Sequence, residues 1–174
     1  PPTADEITAT GGLASHDHLT RCRTQQALLA EEPTAAEQKL ARQLTEPDAL
    51  AAVESLWTLR QSTWSNATSI MEKGLQHPDW RVRRLAIQLL REHGVRPAAL
   101  EQLVDDPDPA VQLEAAISLP ATADQLRAVT KSLHAGAANL PRLRYRAALE
   151  VARLGDQADF ESLLTDADAN VRLA

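Results

Sequence analysis

The sequence predicts an all-α protein that forms a right-handed α-solenoid of about five to six two-helix repeats, each of about 30 residues. Ala and Leu, the strongest helix formers, supply 31 and 26 of the 174 residues. Aromatic residues make up only 3% of the chain, and Gly occurs six times. The β-branched and aromatic types that favour strands are therefore scarce. An apolar pattern that returns at a spacing near 30 residues is typical of a solenoid.

The repeat is clearest in the second half of the chain. Its copies are DWRVRRLAIQLL (79–90), DPAVQLEAAISL (108–119), LPRLRYRAALEVARL (140–154) and a truncated NVRLA (170–174). Their anchoring apolar residues are Val82, Val111, Leu143 and Val171, separated by 29, 32 and 28 residues. Weaker copies precede them at 49–59 and 23–32. These copies predict a cap segment at 1–14 and one repeat domain at 15–174, with repeats at 15–45, 46–76, 77–105, 106–136, 137–165 and 166–174.

The first helix of each repeat is predicted from a single apolar face. Val82, Ala86 and Leu89 lie at i, i+4 and i+7, which is the helical period. A small residue takes the middle position in four copies, where it lets a neighbouring helix approach closely. These residues are Ser55, Ala86, Ala115 and Ala147.

The second helix is predicted from its start signals. Capping boxes begin at Thr34 and Thr122, with Glu37 and Gln125 three residues later, and Pro97 suits a first helical turn. Turns rich in Pro and Asp separate the repeats. We expect their prolines to stop one helix and their aspartates to cap the next. The turns lie at 45–48, 76–79, 105–109 and 165–170.

Composition narrows the classes of function. A net charge of −6 argues against a general nucleic-acid binder, which needs a basic face. No apolar run approaches the length of a membrane span. A single cysteine, Cys22, rules out an internal disulfide. No arrangement pairs a nucleophile with a base or forms a cofactor loop, so we expect no catalytic residue and no cofactor.

The stretch SHDHLTRC (15–22) is the strongest candidate for a metal site. His16, His18 and Cys22 are possible ligands, and the last two lie at i and i+4 on one helical face. No second ligand cluster appears in the sequence. The competing interpretation is an inter-repeat turn in which Ser15 or Asp17 caps a helix, and that interpretation is favoured.

Three tryptophans fall within 24 positions of an aromatic-poor chain. Trp57 belongs to an apolar face and is expected in the core. Trp64 and Trp80 lie at helix starts, and Arg81 and Arg84 follow closely. Exposed aromatics beside arginines have the composition of a protein-binding hot spot. The alternative is that these tryptophans pack between the second and third repeats.

The first-helix pattern, with an Asp, then Val-Arg and a later Ala, resembles the short bacterial HEAT-like repeats named after phycobilisome lyases. The resemblance covers residues 16 to 174. It implies a ladder of polar side chains in which each Arg reaches an inter-repeat Asp. The implied members are Asp79, Arg83, Asp108, Gln112, Arg144, Asp168 and Arg172.

The order of the copies and the element SLWTL (55–59) are similar to the HEAT-like segment of large bacterial proteins. In those proteins the segment joins a sorbosone-dehydrogenase-like propeller to a c-type cytochrome with a C-x-x-C-H motif. This chain has one cysteine, so neither haem binding nor dehydrogenase chemistry carries over to it. If this resemblance holds, the chain is the spacer between those parts, and the last copy, which stops at Ala174 within its first helix, agrees with that expectation.

We therefore expect a non-catalytic scaffold that binds a protein partner or spaces the neighbouring domains of its own polypeptide. One alternative is the spacer of an exported, periplasmic oxidoreductase whose catalytic parts lie elsewhere; without that parent a cytoplasmic location is expected. A second alternative is a helper of the chromophore-lyase type. Such a helper would need an apolar pocket, which no motif specifies.

Overall fold

A computed structural model describes residues 12–136, 140–155 and 157–172. All regular structure in these ranges is helical and contains no strand, which confirms the all-α class and its helical-repeat character. The chain divides into two compact units, Pro1–Val95 and Arg96–Ala174. Residues 1–11 of the expected cap segment lie outside the described residues. The right-handed sense of the superhelix stays a prediction.

Unit 1 begins with a short 3₁₀ helix, Gly12–Ala14, and continues with α1 (His18–Ala30), α2 (Pro33–Gln43), α3 (Ala49–Gln61), α4 (Ala67–Met71) with a 3₁₀ extension (Glu72–Gln76), and α5 (Trp80–Glu92). Unit 2 contains α6 (Ala99–Leu103), α7 (Pro109–Ser118), α8 (Ala123–His134), α9 (Pro141–Leu154), α10 (Gln157–Leu164) and α11 (Ala169–Arg172). None of the described helices is long and apolar enough to cross a membrane.

Aspartates of the inter-repeat turns begin four of the first helices. Asp17, Asp48, Asp79 and Asp108 each accept backbone N–H donors from the first turn of α1, α3, α5 and α7. These bonds satisfy donors that a helix N-terminus leaves without an intrahelical partner. The aspartates therefore fix where each first helix starts.

Two of the predicted second-helix starts are wrong in detail. Helix α2 begins at Pro33, and Glu32 rather than Thr34 caps it. Proline at the first helical position has a suitable φ and lacks an N–H that would need a partner, so the helix begins two residues earlier than expected. Helix α6 begins at Ala99 with Ala98 as its N-cap, so Pro97 lies before its first turn. Thr122 is the N-cap of α8 as predicted, although its side chain makes no capping hydrogen bond.

The core of unit 1 is formed by facing Leu, Ile and Ala side chains. Leu40, Leu56, Leu59 and Ile87 are completely buried. Ala86 is completely buried too, and a Cβ added to Gly74 would lie 3.0 Å from the Ala86 Cβ. The small residues therefore permit the close approach of α5 to the 3₁₀ extension of α4.

In unit 2 a cluster of buried residues joins four helices. Leu113 of α7 and Val129 of α8 contribute to it, together with Ala147 of α9 and Val171 of α11. Helix α7 buries eight residues of its ten. It therefore lies at the centre of unit 2, and α9 buries only one side.

Candidate interaction surface

The polar residue that follows an anchoring apolar residue, such as Arg83 after Val82, forms hydrogen bonds with the turn that precedes its helix. Arg83 Nη1 donates to the carbonyl oxygens of His77 (2.9 Å) and Pro78 (2.8 Å), six and five residues earlier. Arg21 makes the same pair of bonds with Ser15 (2.8 Å) and His16 (3.1 Å). Charge-assisted bonds to backbone carbonyls hold the turn in one conformation. Arg21 was missed in the sequence, although it lies 62 residues, two periods, before Arg83.

Other ladder positions show how far this device extends. Arg172 Nη1 donates to the carbonyl oxygens of Asp166 and Ala167. Gln112 Nε2 donates to the Asp106 carbonyl oxygen at 2.6 Å, and its buried Oε1 has no partner. These contacts go to backbone carbonyl oxygens of the turns, and the Asp–Arg ladder that the resemblance implied stays a prediction. The residues that precede Arg144 by six and five positions lie outside the described ranges.

Charged and polar contacts at the repeat spacing link successive repeats within each unit. In unit 1, Arg21 Nε lies 2.7 Å from Glu54 Oε1, and His77 Nε2 lies 2.9 Å from the Glu46 carbonyl oxygen. In unit 2, Arg146 donates to both carboxylate oxygens of Glu114, at 2.6 and 2.8 Å. These polar side chains therefore hold successive repeats together.

Trp57 is exposed, which corrects its expected place in the core. Its residue is 38% exposed, and the Arg60 guanidinium carbon lies 5.5 Å from the ring centroid. Arg60 Nε in turn lies 2.9 Å from Glu92 Oε2 at the end of α5. A cation over the face of an indole is attracted by the ring quadrupole. The Trp57 ring and the Arg60 guanidinium therefore form a cation–π pair at the surface, and Glu92 of α5 holds the guanidinium.

Trp80 lies in the first turn of α5 and is 40% exposed. The next residue, Arg81, donates to both carboxylate oxygens of Asp79, with Nε–Oδ1 at 3.0 Å and Nη2–Oδ2 at 2.7 Å. This side-chain hydrogen bond lowers the pKa of Asp79 and raises that of Arg81. The guanidinium beside Trp80 therefore remains charged and fixed in position.

Helices α3 and α5 lie side by side in the same direction, with their first residues at one level and their last residues at another. His77 meets Glu46 before the two helices, and Arg60 meets Glu92 at their ends. Trp57 is consequently level with Gln88, about 12 Å along the axis from Trp80 at 1.5 Å per residue. We call Trp57, Arg60, Trp80, Arg81 and Arg84 the aromatic surface.

Two of the residues expected in this patch are less accessible. Trp64 is half-buried in the connection between α3 and α4, where its carbonyl oxygen accepts from Ala67 N. Arg84 is also half-buried; it lies one turn after Trp80, on the same side of α5. The exposed tryptophan that accompanies Trp80 is therefore Trp57, not Trp64 as the sequence predicted. Its exposure could have been found from its position across α3 from Ala52, Leu56 and Leu59.

The candidate metal ligands lie at the first inter-repeat turn. Cys22 Sγ lies 3.5 Å from His18 Nε2, and Asp17 between the two histidines caps α1. Among the residues that the structure describes, no group of three His, Cys, Asp or Glu side chains could hold a metal ion. The Asp17 carboxylate is used for capping, and the Thr20 hydroxyl hydrogen bond lowers its pKa.

A cavity of about 110 Å³ lies in unit 2 between the start of α6 and the end of α7. Leu100, Ser118 and Pro120 contribute to its lining. Pockets for drug-sized molecules are commonly about 300 Å³ or more. The cavity is therefore suited to a few atoms and gives no support to a chromophore site.

Comparison with known families agrees with the architecture. Residues 68–137 match the family model of HEAT repeats. This stretch runs from α4 in unit 1 to the end of α8 in unit 2. No curated protein and no solved structure matches the chain. The chain is thus similar to HEAT repeats across its middle part, and its helices on either side follow the same spacing.

Proposed function

We propose that this chain is a non-catalytic helical-repeat scaffold that binds a protein partner through the aromatic surface of unit 1. The observation that carries the proposal is the exposure of Trp57 and Trp80 in a chain with only three tryptophans. Trp and Arg are enriched among the residues that dominate binding energy at protein interfaces. HEAT-like arrays commonly serve as interaction scaffolds, which supports the same role.

Ion pairs also favour one orientation of two guanidinium groups on the aromatic surface. Arg60 is held by Glu92, and Arg81 is held by Asp79, so neither guanidinium must be ordered when a partner arrives. Preorganised side chains avoid part of the entropy cost of association. An indole with a fixed cation beside it therefore offers a ready contact for an apolar or acidic side chain of a partner.

The test compares three immobilised forms of the chain: the parent, a Trp57→Ala/Trp80→Ala variant, and a Leu19→Ala control. Leu19 is 62% exposed in the same unit and lies outside the aromatic surface. We expect a partner that the parent and the control retain and the tryptophan variant loses. With the purified partner, calorimetry should show at least a tenfold weaker affinity for the tryptophan variant. Equal affinity for all three forms contradicts the proposal.

The setting of the scaffold is a separate question. The partner is either another protein or a neighbouring domain of a longer polypeptide, including the oxidoreductase that the narrower resemblance suggested. An antibody raised against this chain measures the mass of the native polypeptide. A band near 18.9 kDa supports a separate scaffold, and a much larger band that stains for covalent haem supports the spacer role.

A further inference from the structure

Helix α9 in unit 2 has one exposed face. Every exposed residue of this helix falls on one side, while Leu143, Ala147 and Val151 are buried on the other. The exposed residues are Pro141, Arg142, Tyr145, Leu149, Ala152 and Arg153. We call this set the α9 stripe. Their spacing of three to four residues forms a continuous row along the helix.

The centre of the α9 stripe is apolar. Tyr145 is 68% exposed and Leu149 is 51% exposed, at i and i+4. Residues 32 positions earlier in α7, Leu113 and Ile117, are buried at 1% and 9%. Exposed large apolar side chains in a row mark an interaction site more often than isolated ones do. The same repeat position is therefore core in one helix and an uncovered contact surface in the next.

The edge of the α9 stripe is basic, although the chain as a whole is acidic. Helix α9 carries four arginines against one glutamate in a chain of net charge −6. Arg146 is committed to Glu114, and Arg153 pairs with Glu150 at 2.9 Å. Arg142 is exposed, and no described carboxylate pairs with it.

The N-terminal end of α9 adds to this positive character. Its N-cap is Leu140, which offers no side-chain acceptor, and the first turn contains no acidic residue. The partial positive charge of the helix start therefore has no compensating group within its own first turn. An acidic side chain of a partner would meet both this helix end and Arg142.

We propose that the α9 stripe binds an acidic amphipathic helix. Apolar residues of the bound helix, spaced at i, i+4 and i+7, pack over Tyr145 and Leu149, and its carboxylates lie beside Arg142 and the start of α9. The α9 stripe, from Pro141 to Arg153, is about 18 Å long at 1.5 Å per residue, which matches a little over three turns of a partner helix. An interface of this size is at the small end of the range for protein complexes, so micromolar affinity is expected.

The proposal extends the proposed scaffold role to a different surface. The probe is a fluorescent helical peptide of about 18 residues with leucines on one face and glutamates on its flanks. Its matched twin replaces every glutamate with lysine. Anisotropy titrations of the full chain should show at least tenfold tighter binding of the acidic peptide, and added salt should weaken it.

Variants of the chain locate the binding. Leu149→Ser should weaken binding of the acidic peptide at least tenfold, and Arg142→Glu should weaken it several-fold. Both positions are exposed, so unchanged thermal unfolding is expected and serves as the folding control. Leu19→Ser, the matched exposed leucine of unit 1, should leave the affinity unchanged.

The proposal would be overturned by equal binding of the lysine twin, by unchanged affinity of the Leu149→Ser variant, or by dimerisation of the chain that Leu149→Ser abolishes. The last result would assign the α9 stripe to a second copy. The Trp57→Ala/Trp80→Ala variant separates this inference from the proposed function. Loss of peptide binding in that variant would place the peptide on the aromatic surface instead.

Discussion

Individual polar side chains determine the turns between repeats. In the third repeat, the Asp79 carboxylate caps α5, and the Asp79 backbone N–H donates to His77 Nδ1 at 3.0 Å. Arg83 donates to the His77 carbonyl oxygen. In the fourth repeat, Asp108 and Asp106 take the places of Asp79 and His77. In each of these two turns, three side chains therefore form hydrogen bonds with backbone groups that would otherwise need water as a partner.

His134 forms a titratable link in unit 2. Its Nε2 lies 2.7 Å from Asp166 Oδ2, and this hydrogen bond, with a further one to the Thr130 carbonyl, raises the pKa of His134. A raised folded-state pKa stabilises the fold fully below the unfolded-state pKa, about 6.5. That contribution disappears as the pH rises through the folded-state pKa.

NMR titration of the histidine ring protons checks this link. We expect the pKa of His134 to lie above about 6.5 in the parent and to fall toward that value in Asp166→Asn. Between neutral and mildly alkaline pH, the free energy of unfolding should decrease in the parent and should stay constant in His134→Gln. An unchanged His134 titration in Asp166→Asn would show that the hydrogen bond does not form in solution.

At the scale of elements, helix packing in unit 1 depends on one glycine. The Gly74 Cα faces Ala86 and Leu56, and an added Cβ would lie 3.0 Å from the Ala86 Cβ and 3.5 Å from Leu56 Cδ2. Ala86 is completely buried, and its Cβ is attached to the backbone of α5, so relief requires the whole helix to move. The approach of the two elements is therefore set by backbone rather than by flexible side chains.

Gly74→Ala is expected to lower the free energy of unfolding by about 1 kcal/mol, since overpacking outweighs the better helix propensity of Ala. Chemical denaturation measures this loss. The partner change Ala86→Gly provides the second arm of a double-mutant cycle, and the double variant should recover part of the packing cost. Additive losses in the cycle would mean that the two residues do not meet.

At the scale of the whole molecule, the same turn device recurs in several repeats, with a weaker copy in the fourth and with Ala52 at the equivalent position of the second. Arg21, Arg83 and Arg172 each donate to two carbonyl oxygens, whereas Gln112 donates to one and leaves its Oε1 buried without a partner. A buried acceptor without a hydrogen bond costs stability. The fourth repeat therefore has a glutamine at a position where an arginine would make the fold more stable.

Gln112→Arg should raise the free energy of unfolding by about 1 kcal/mol, because it restores the second hydrogen bond and removes the orphaned acceptor. The reverse change, Arg83→Gln, should cost a similar amount. Denaturant titrations of both variants measure the effect. If Gln112→Arg is less stable than the parent, the space beside Asp106 does not accept a guanidinium and the repeats are not equivalent there.

The sequence by itself determined the helical class, the repeat spacing and the starts of most first helices. These features are local: Ala and Leu favour helix wherever they are placed, and an Asp before a helix caps it through bonds within three residues. The period also located the small residue at Ala86, which the structure buries completely. Local chemistry repeated along the chain can be recognised without coordinates.

Only the tertiary structure decided which apolar residues are covered. Leu113 and Tyr145 occupy the same position in successive first helices, yet the first is buried and the second is largely exposed. Trp57 and Leu56 are adjacent in the chain, and only the leucine lies in the core. Burial depends on which neighbouring element packs against a face, and that neighbour comes from a distant part of the chain. The α9 stripe could therefore be identified only after the helices had been assembled, whereas Trp80, Arg81 and Arg84 of the aromatic surface were already predicted from the sequence.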